Sequence, residues 1–360
     1  MTASVIRELV MIIRSLLLFV ILHLLPFKIL LWLLRRRLEV NGYKFYPEIS
    51  GRVSLYKLAL TLNNFCNKRV ALVPDYICNV VNVALEAAGY EVQTYPTDCY
   101  FEPLESELAI KLADERINIL LTASVYGSSA FLDGLKKQEF RELILKRNIY
   151  VIVDLCQDIS LVQHLPTNYG INLSAVVSFN DKSFPGVMGG GILTKMNIPI
   201  TRKRMNFVQR LTLYRMLLAK CKAYMVTAFR KRFQTQYKAE NLVVGNNGED
   251  KNQYSYSYCQ VFPYRIEPFR IEKIQIILAL IGFANLKLIN RKKSEFAKHV
   301  PNVLRTKYYE TSPYLVLISG EHIPPLRKRK HPYACHGNPK ESLRGALIII
   351  HNKGFYDEEC

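Results

Sequence analysis

Short apolar runs alternate with amphipathic stretches between residues 42 and 200, and this pattern predicts an α/β domain. The runs RVALVPDY, YEVQTYP, INILLTASVYG, VIVD and AVVSF have the length and composition of strands. Between them, SGRVSLYKLALTLNNF, NVVNVALEAAG, LESELAIKLADER and FLDGLKKQEFRELILKRN have helical periodicity. Strands that alternate with helices favour a mostly parallel sheet covered by helices.

The N-terminal residues 5–34 are the most apolar part of the chain. Measured from Ser15 to Leu34, it has about the length needed to cross a bilayer, roughly 20 residues, but it contains His23, Pro26 and Lys28. We therefore expect a helix that is broken at Pro26 and lies in one membrane leaflet, with its basic residues on the headgroups. A pair of buried core helices is the alternative.

The pattern changes after Lys195. Residues 201–237 are basic, helical and partly apolar, and they predict either a second lipid contact or a solvated insertion. Residues 245–260 predict a polar loop, residues 267–299 a helix, and the segment LRGALIIIHN the last ordered structure. The domains expected are a hydrophobic membrane-associating helical segment (1–40), a large domain (41–200), a basic helical insertion with a loop (201–260), and a long helix with a shortened small domain (261–360).

Composition and net charge limit the kinds of binding partner and the cellular compartment that we expect. Hydrophobic residues make up 49% of the chain and the net charge is +19, which favours an anionic partner such as a membrane face or a phosphorylated substrate. Nucleic-acid binding is not expected, because no recognition motif accompanies the charge. The eight cysteines form no CxxC pair, which argues against zinc and disulfides and favours the reducing cytoplasm. Four late histidines are interpreted as surface residues, so no metal is expected: His322, His331, His336 and His351.

Residues 151–194 carry the candidate chemistry, because polar side chains follow two predicted strands. Asp154 closes VIVD and Gln157 follows it, whereas Ser178 lies at the end of AVVSF and precedes Lys182 and the glycines 189–191. Strand ends of an open α/β sheet bind ligands. A lysine amine, a carboxylate and a hydroxyl suit pyridoxal 5'-phosphate (PLP), which needs an imine partner, a pyridine-nitrogen partner and a phosphate site. The alternative is that Asp154 caps a helix, Lys182 is solvated and the glycines form a tight turn.

A second phosphate signal lies earlier in the chain. Ser50, Gly51 and Arg52 open a predicted helix, and the backbone N–H groups of a helix N-terminus favour phosphate.

The order of these motifs resembles the DegT/DnrJ/EryC1/StrS family of PLP-dependent sugar aminotransferases. The resemblance runs from about Ser50 to about His299 and rests on the segments SGRVSLYKLAL, VALVPDYICNVVNVALEAAGYEV, VYGSSAFLDGL, VIVDLCQD, SFNDKSFPGVMGGGILT and PFRIEKIQIILALIGFANLKLI. It implies an aspartate-aminotransferase-like large domain followed by a smaller C-terminal domain, which is shortened in this chain.

The resemblance also implies roles for the catalytic end of the site. Lys182 would bind the cofactor covalently and shuttle the proton. Asp154 would bind the pyridine nitrogen, and Gln157 would bind the ring hydroxyl.

Four further residues are implied to bind the rest of the cofactor. Ser178 would hold the phosphate together with the backbone near Gly51 and Arg52. Cys78 occupies the position where the family often stacks an aromatic residue on the pyridine ring.

The function implied is transamination of a nucleotide- or lipid-linked keto-sugar in surface polysaccharide or glycan biosynthesis. Glutamate would be the donor in a ping-pong cycle through pyridoxamine phosphate, and the enzyme would be a homodimer at the inner face of the cell membrane, on its anionic surface. The alternative is a catalytically impaired, membrane-associated partner or regulator. It is motivated by the shortened C-terminus and by a lysine loop in which only Asn180 and Asp181 separate the Ser-Phe pair from Lys182.

Overall fold

A computed structural model describes residues 3–64, 69–97, 103–125, 130–135, 137–167, 170–179, 188–217, 266, 268–297, 314–318 and 347–351. The helices are α1 (Ala3–Leu24), α2 (Phe27–Leu38), α3 (Gly51–Leu62), α4 (Asn79–Ala87), α5 (Glu105–Leu112), α6 (Ala130–Gly134), α7 (Gln138–Lys146), α8 (207–217) and α9 (Lys273–Ala297). The strands are β1 (Lys44–Glu48), β2 (Val70–Pro74), β3 (Glu91–Tyr95), β4 (Ile117–Ala123), β5 (Tyr150–Asp154), β6 (Leu173–Ser178), β7 (Gly190–Thr194), β8 (Tyr314–Ile318) and β9 (Leu347–His351).

Seven strands form one mixed sheet in the order β1-β7-β6-β5-β4-β2-β3. The strands β3, β2, β4, β5 and β6 run parallel to one another, whereas β7 is antiparallel to both β6 and β1. The predicted fold class, a mostly parallel sheet with helices, is therefore confirmed.

Helices cover both faces of the sheet because neighbouring residues of the central strands point to opposite sides. On one face, Leu72, Leu120 and Val151 belong to a core that also includes leucines of α2 and isoleucines of α9. On the other face, β-strand residues such as Ile119 and Ile152 pack with leucines of α3 and α4. Strands buried on both faces read as continuous apolar runs, which is why the sequence predicts them well.

The N-terminal helices pack on the first of these cores. The chain breaks at Pro26, as the sequence predicts, and α2 buries Leu30, Leu34 and Leu38. The Ser15 hydroxyl of α1 accepts a hydrogen bond from the Asn285 side chain of α9 at 3.0 Å. The inner face of α2 thus matches the alternative prediction of core helices. Over the part of the chain that the structure describes, no helix is long and apolar enough to cross a bilayer.

The long helix α9 begins at Lys273 and not at 267, so this predicted boundary is wrong. Residues 268–272 are not helical, and the Arg270 amide donates a hydrogen bond to the Lys203 carbonyl at 2.8 Å. Phe269 and Ile271 are both buried. Pro268 disfavours a helical residue before it, and the contact with residue 203 occupies the amide that an earlier helix would use.

Strand β1 was not predicted because it contains Pro47. It lies at the edge of the sheet and pairs only with β7, which is where a strand tolerates a residue without an N–H group. The segment LRGALIIIHN does contain ordered structure, since β9 pairs with β8 in a separate antiparallel sheet. The predicted loop 245–260 lies outside the described residues.

Candidate functional site

The candidate residues meet at one edge of the sheet. Asp154 and Ser178 end the parallel strands β5 and β6. Gly190 begins the antiparallel strand β7 and pairs with both Ser178 and Glu48, the last residue of β1. The turn from β1 into α3 therefore starts at the same edge.

Two glycines allow the N-terminus of α3 to touch the sheet. A Cβ atom on Gly51 would lie 2.8 Å from the Cys156 sulfur and 3.1 Å from the Ser178 Cβ. A Cβ atom on Gly190 would lie 2.4 Å from the Val177 carbonyl oxygen and 2.8 Å from the Gly51 nitrogen. Side chains at either position would push α3 away from the ends of β5 and β6.

The first turn of α3 has the features of an anion site. The Ser50 hydroxyl caps the helix by accepting a hydrogen bond from the Val53 amide at 3.2 Å, and Ser50 itself is in an extended conformation. Arg52, two residues after Ser50, has a buried Nε atom without a hydrogen-bond partner among the described residues. A buried, unsatisfied donor beside a helix N-terminus favours an oxyanion.

Asp154 is held at the end of β5 by two types of contact. Its Oδ1 accepts a hydrogen bond from the Cys156 amide at 2.8 Å, and its backbone carbonyl accepts hydrogen bonds from the Ser124 amide at 2.9 Å and hydroxyl at 3.1 Å. Asp154 does not cap a helix. That function belongs to Asp158, whose carboxylate accepts a hydrogen bond from the Ser160 amide at the start of the 3₁₀ helix Ile159–His164.

Gln157 lies between these two aspartates, half-buried, in the loop that follows β5. The loop therefore brings Asp154 and Gln157 to the same edge as Ser178, as the sequence predicts. Their roles toward a cofactor stay predictions.

At each of the positions 189–191, a different local feature favours glycine. Gly189 has a φ of +123°, which favours glycine, and its carbonyl accepts a hydrogen bond from the Phe179 amide at 2.8 Å. Gly190 gives room to α3, and Gly191 gives room to the ring of Phe45, 2.2 Å from an added Cβ. The glycines thus serve the packing at the start of β7, while Lys182 before them lies outside the described residues.

Cys78 follows the end of β2 and occupies the N-cap position of α4. Its side chain makes no cap hydrogen bond, and the thiol is free and half-buried. The residue is at the same edge of the sheet as Asp154, two strands away in the order of the sheet.

A buried ion pair next to the site was missed by sequence reasoning. Glu48 is 1% exposed, and its carboxylate accepts hydrogen bonds from the Lys57 ammonium at 2.5 Å and from the Thr201 hydroxyl at 3.0 Å. Burial raises the pKa of Glu48, and the contacts with Lys57 and Thr201 oppose that shift. The pair joins β1 to α3 and fixes the turn that presents Ser50. The sequence pattern did not indicate this pair, because β1 itself was not predicted.

Metal binding finds no support in the part of the chain that the structure describes, where no cluster of three or more His, Cys, Asp and Glu residues could hold an ion. His351 lies in β9, and His322, His331 and His336 lie outside the described residues.

Several solved structures to which this chain is similar are aminotransferases, at low sequence identity. PseC of Helicobacter pylori, an aminotransferase involved in the biosynthesis of pseudoaminic acid, is 14% identical over 77% of this chain and 66% of its own, with a TM-score of 0.45. The sugar aminotransferase CalS13 of Micromonospora echinospora is 13% identical over 77% of this chain and 68% of its own, with a TM-score of 0.43. Spr1654 of Streptococcus pneumoniae, in its PLP form, is 13% identical over 79% of this chain and 69% of its own, with a TM-score of 0.46.

The chain therefore spans about two thirds of the length of these proteins. No family model matches the sequence, and no curated protein matches it.

Proposed function

We propose that this protein is a PLP-dependent aminotransferase that acts on a keto-sugar. One observation carries the proposal. The N-terminus of α3 is in contact with the ends of β5 and β6, so an anion site, a carboxylate and a hydroxyl converge at one edge of the sheet.

The residues at this edge fit the phosphate end of PLP. Gly51 leaves no side chain between the first turn of α3 and Ser178, and the Arg52 Nε atom is a buried donor without a described partner. Backbone N–H groups at Gly51 and Arg52, the positive end of the helix dipole and the Ser178 hydroxyl would bind the phosphate oxygens. The phosphate would anchor the cofactor and orient its ring toward β5.

The end of β5 fits the ring. Asp154 would hold a proton on the pyridine nitrogen, and Gln157 would donate a hydrogen bond to the ring hydroxyl. When bound, PLP supplies an aldehyde that condenses with amines and a ring that accepts electrons. The hydrogen bonds from Cys156 and Ser124 hold Asp154 in place at the end of β5.

Lys182 is the proposed nucleophile and proton carrier. Its amine would bind the cofactor in the resting enzyme and would move a proton to or from the substrate carbon. It lies four residues beyond Ser178, which ends β6 at the same edge.

The finer parts of the proposal rest on the family resemblance. The keto-sugar would be nucleotide- or lipid-linked and would serve surface polysaccharide or glycan biosynthesis. Glutamate would donate the amino group, and a homodimer would complete the site. The positive net charge of +19 supports a phosphorylated sugar carrier.

The proposed cofactor role is tested by titrating purified protein with PLP, recording the visible absorbance, reducing with borohydride and mapping the labelled peptide. A reducible band with label on Lys182 is expected. Lys182→Ala should lose the band, whereas the exposed Lys195, which donates a hydrogen bond to the Thr167 carbonyl, provides the control Lys195→Ala.

Absence of the band in the wild-type protein, or label spread over many lysines, would contradict the proposal. Transaminase activity that persisted in Lys182→Ala would contradict the role of this lysine.

A further inference from the structure

Nine large apolar side chains of the N-terminal helices α1 and α2 are exposed. These side chains, which we call the α1–α2 outer face, are Val10, Ile13, Leu16, Leu17, Val20, Ile21, Leu24, Ile29 and Trp32. Those in α1 recur at intervals of mostly three and four residues, so they form one stripe along the helix. They are well exposed, up to 80% for Leu24. Single exposed leucines are ordinary, but nine large apolar side chains on one helix pair indicate an interaction site.

The opposite side of the same helices is already committed to the core. In α2, Leu30, Leu34 and Leu38 are buried, and in α1 the Ser15 hydroxyl is bonded to Asn285. The Lys273 ammonium also donates a hydrogen bond to the His23 carbonyl at the end of α1, at 2.6 Å. The helices therefore cannot turn their outer face inward without giving up these contacts.

Basic residues accompany the apolar stripe, and acidic residues do not. Residues 9–38 contain Arg14, Lys28 and Arg35–Arg37 but neither Asp nor Glu. The Arg36 guanidinium lies 5.0 Å from the centroid of the Trp32 ring, which places a cation at the end of the stripe.

A second exposed apolar and basic segment is linked to the start of α2. Ile200, Phe207 and Val208 are exposed beside the basic residues 202–204. The Arg270 amide binds the Lys203 carbonyl, while its guanidinium stacks 4.1 Å from the centroid of the Phe27 ring. Residue 203 is thus linked to the start of α2.

We propose that the α1–α2 outer face binds an anionic membrane surface, with its apolar side chains at the boundary between headgroups and acyl chains and its basic residues on the lipid phosphates. Tryptophan and arginine are suited to that boundary, because each combines an apolar body with a polar end. A second copy of the chain fits this face less well, since symmetric pairing would bring the same cations together.

The single tryptophan of the protein makes the proposal directly measurable, because intrinsic tryptophan fluorescence reports on Trp32 alone. The full-length protein is mixed with phosphatidylcholine vesicles that contain or lack phosphatidylglycerol. The anionic vesicles should shift the emission to shorter wavelength, and lipids brominated on the acyl chain should quench it. High salt should weaken the binding.

A matched pair of double variants tests whether vesicle binding depends on the α1–α2 outer face or on exposed apolar side chains in general. Leu17→Gln/Leu24→Gln should reduce the vesicle partition coefficient by about tenfold or more, as expected from losing two inserted leucines. Ile110→Gln/Leu145→Gln removes two exposed apolar side chains from α5 and α7 and should bind vesicles like the wild type. Circular dichroism checks that both variants keep the fold.

Three results would overturn the proposal: unchanged Trp32 emission with anionic vesicles, equal partitioning of the two double variants, or a lipid-free emission shift that depends on protein concentration together with a doubled mass in light scattering. The last result would assign the face to contacts between copies of the chain. None of these measurements requires cofactor binding, so they succeed or fail independently of the proposed enzymatic function.

Discussion

Gly190 couples the packing of the sheet to the candidate phosphate site. Its missing side chain lets the Gly51 backbone lie against β7, and the neighbouring atoms are backbone atoms that cannot rotate away. The sequence could predict that the glycine cluster mattered, but not why. The reason depends on α3, which lies more than a hundred residues earlier in the chain.

Gly190→Ala should therefore lower the free energy of unfolding by about 1–3 kcal/mol, as overpacking does, and should also weaken PLP binding because α3 must move. The matched control is Gly134→Ala in α6, where an added Cβ meets nothing within 4 Å. That control should be neutral or stabilise by about 0.5–1 kcal/mol. Chemical denaturation and PLP titration measure both effects. Equal stability of the two variants would show that the contact at Gly190 is not tight.

Glu48 should give the folding stability a characteristic pH dependence. Burial raises its pKa above the ordinary value of 4.5, so the folded state binds this proton more tightly than the unfolded state. The resulting stabilisation is present below pH 4.5 and is lost as the pH rises through the folded pKa. As the pH rises from 4.5 through the folded pKa of Glu48, the free energy of unfolding of the wild type should therefore fall relative to that of Glu48→Gln.

Denaturation of both proteins at a series of pH values measures this difference. Glu91→Gln, at an exposed position, serves as the control and should follow the wild type. A wild-type advantage that grew with pH would contradict the raised pKa.

Among the elements, those with a strong local pattern were predictable. The strands β2, β4, β5 and β6 are apolar runs buried on both faces, and α3 begins at Gly51, directly after its capping residue Ser50. The edge strand β1 and the start of α9 were not predictable, because a partner elsewhere in the chain decides each of them. Strand β1 needs β7, and residue 270 needs residue 203.

The residues of the candidate site also divide into those that the sequence could predict and those that it could not. Asp154 and Ser178 were predictable because strand ends can be located from sequence. The ion pair of Glu48 with Lys57 was not, because it requires knowing that α3 folds back beside β1. Lys182 remains a prediction from the sequence.

The capping residue of α3 can separate helix stability from anion binding. Ser50→Ala removes the hydrogen bond to the Val53 amide and should destabilise the protein by about 0.5–2 kcal/mol. Ser50→Asp keeps a capping acceptor and should retain most of the stability, but its charge should repel a bound phosphate. PLP affinity should thus fall further in Ser50→Asp than in Ser50→Ala, although the aspartate variant is the more stable one. If Ser50→Asp were both more stable than Ser50→Ala and the tighter binder of PLP, the result would argue against a phosphate at the N-terminus of this helix.

At the scale of the whole molecule, the N-terminal helices serve the core and the surface at once. Composition alone indicated a membrane-associated segment, because hydropathy counts apolar residues without assigning them to a face. The structure divides them, since every fourth residue of α2 from Leu30 to Leu38 is buried against the core while the outer face remains exposed. The helices α1 and α2 therefore belong to the core of the fold as well as to its surface.

This division predicts opposite outcomes for two chemically identical substitutions. Leu34→Ala leaves a cavity in the core and should lower the free energy of unfolding by about 2–5 kcal/mol. Leu17→Ala, in the outer face, should change it by no more than about 0.5 kcal/mol in lipid-free solution. Denaturation of both variants followed by circular dichroism measures the contrast. If α2 were only a membrane anchor beside an independently stable sheet, Leu34→Ala would be as stable as Leu17→Ala.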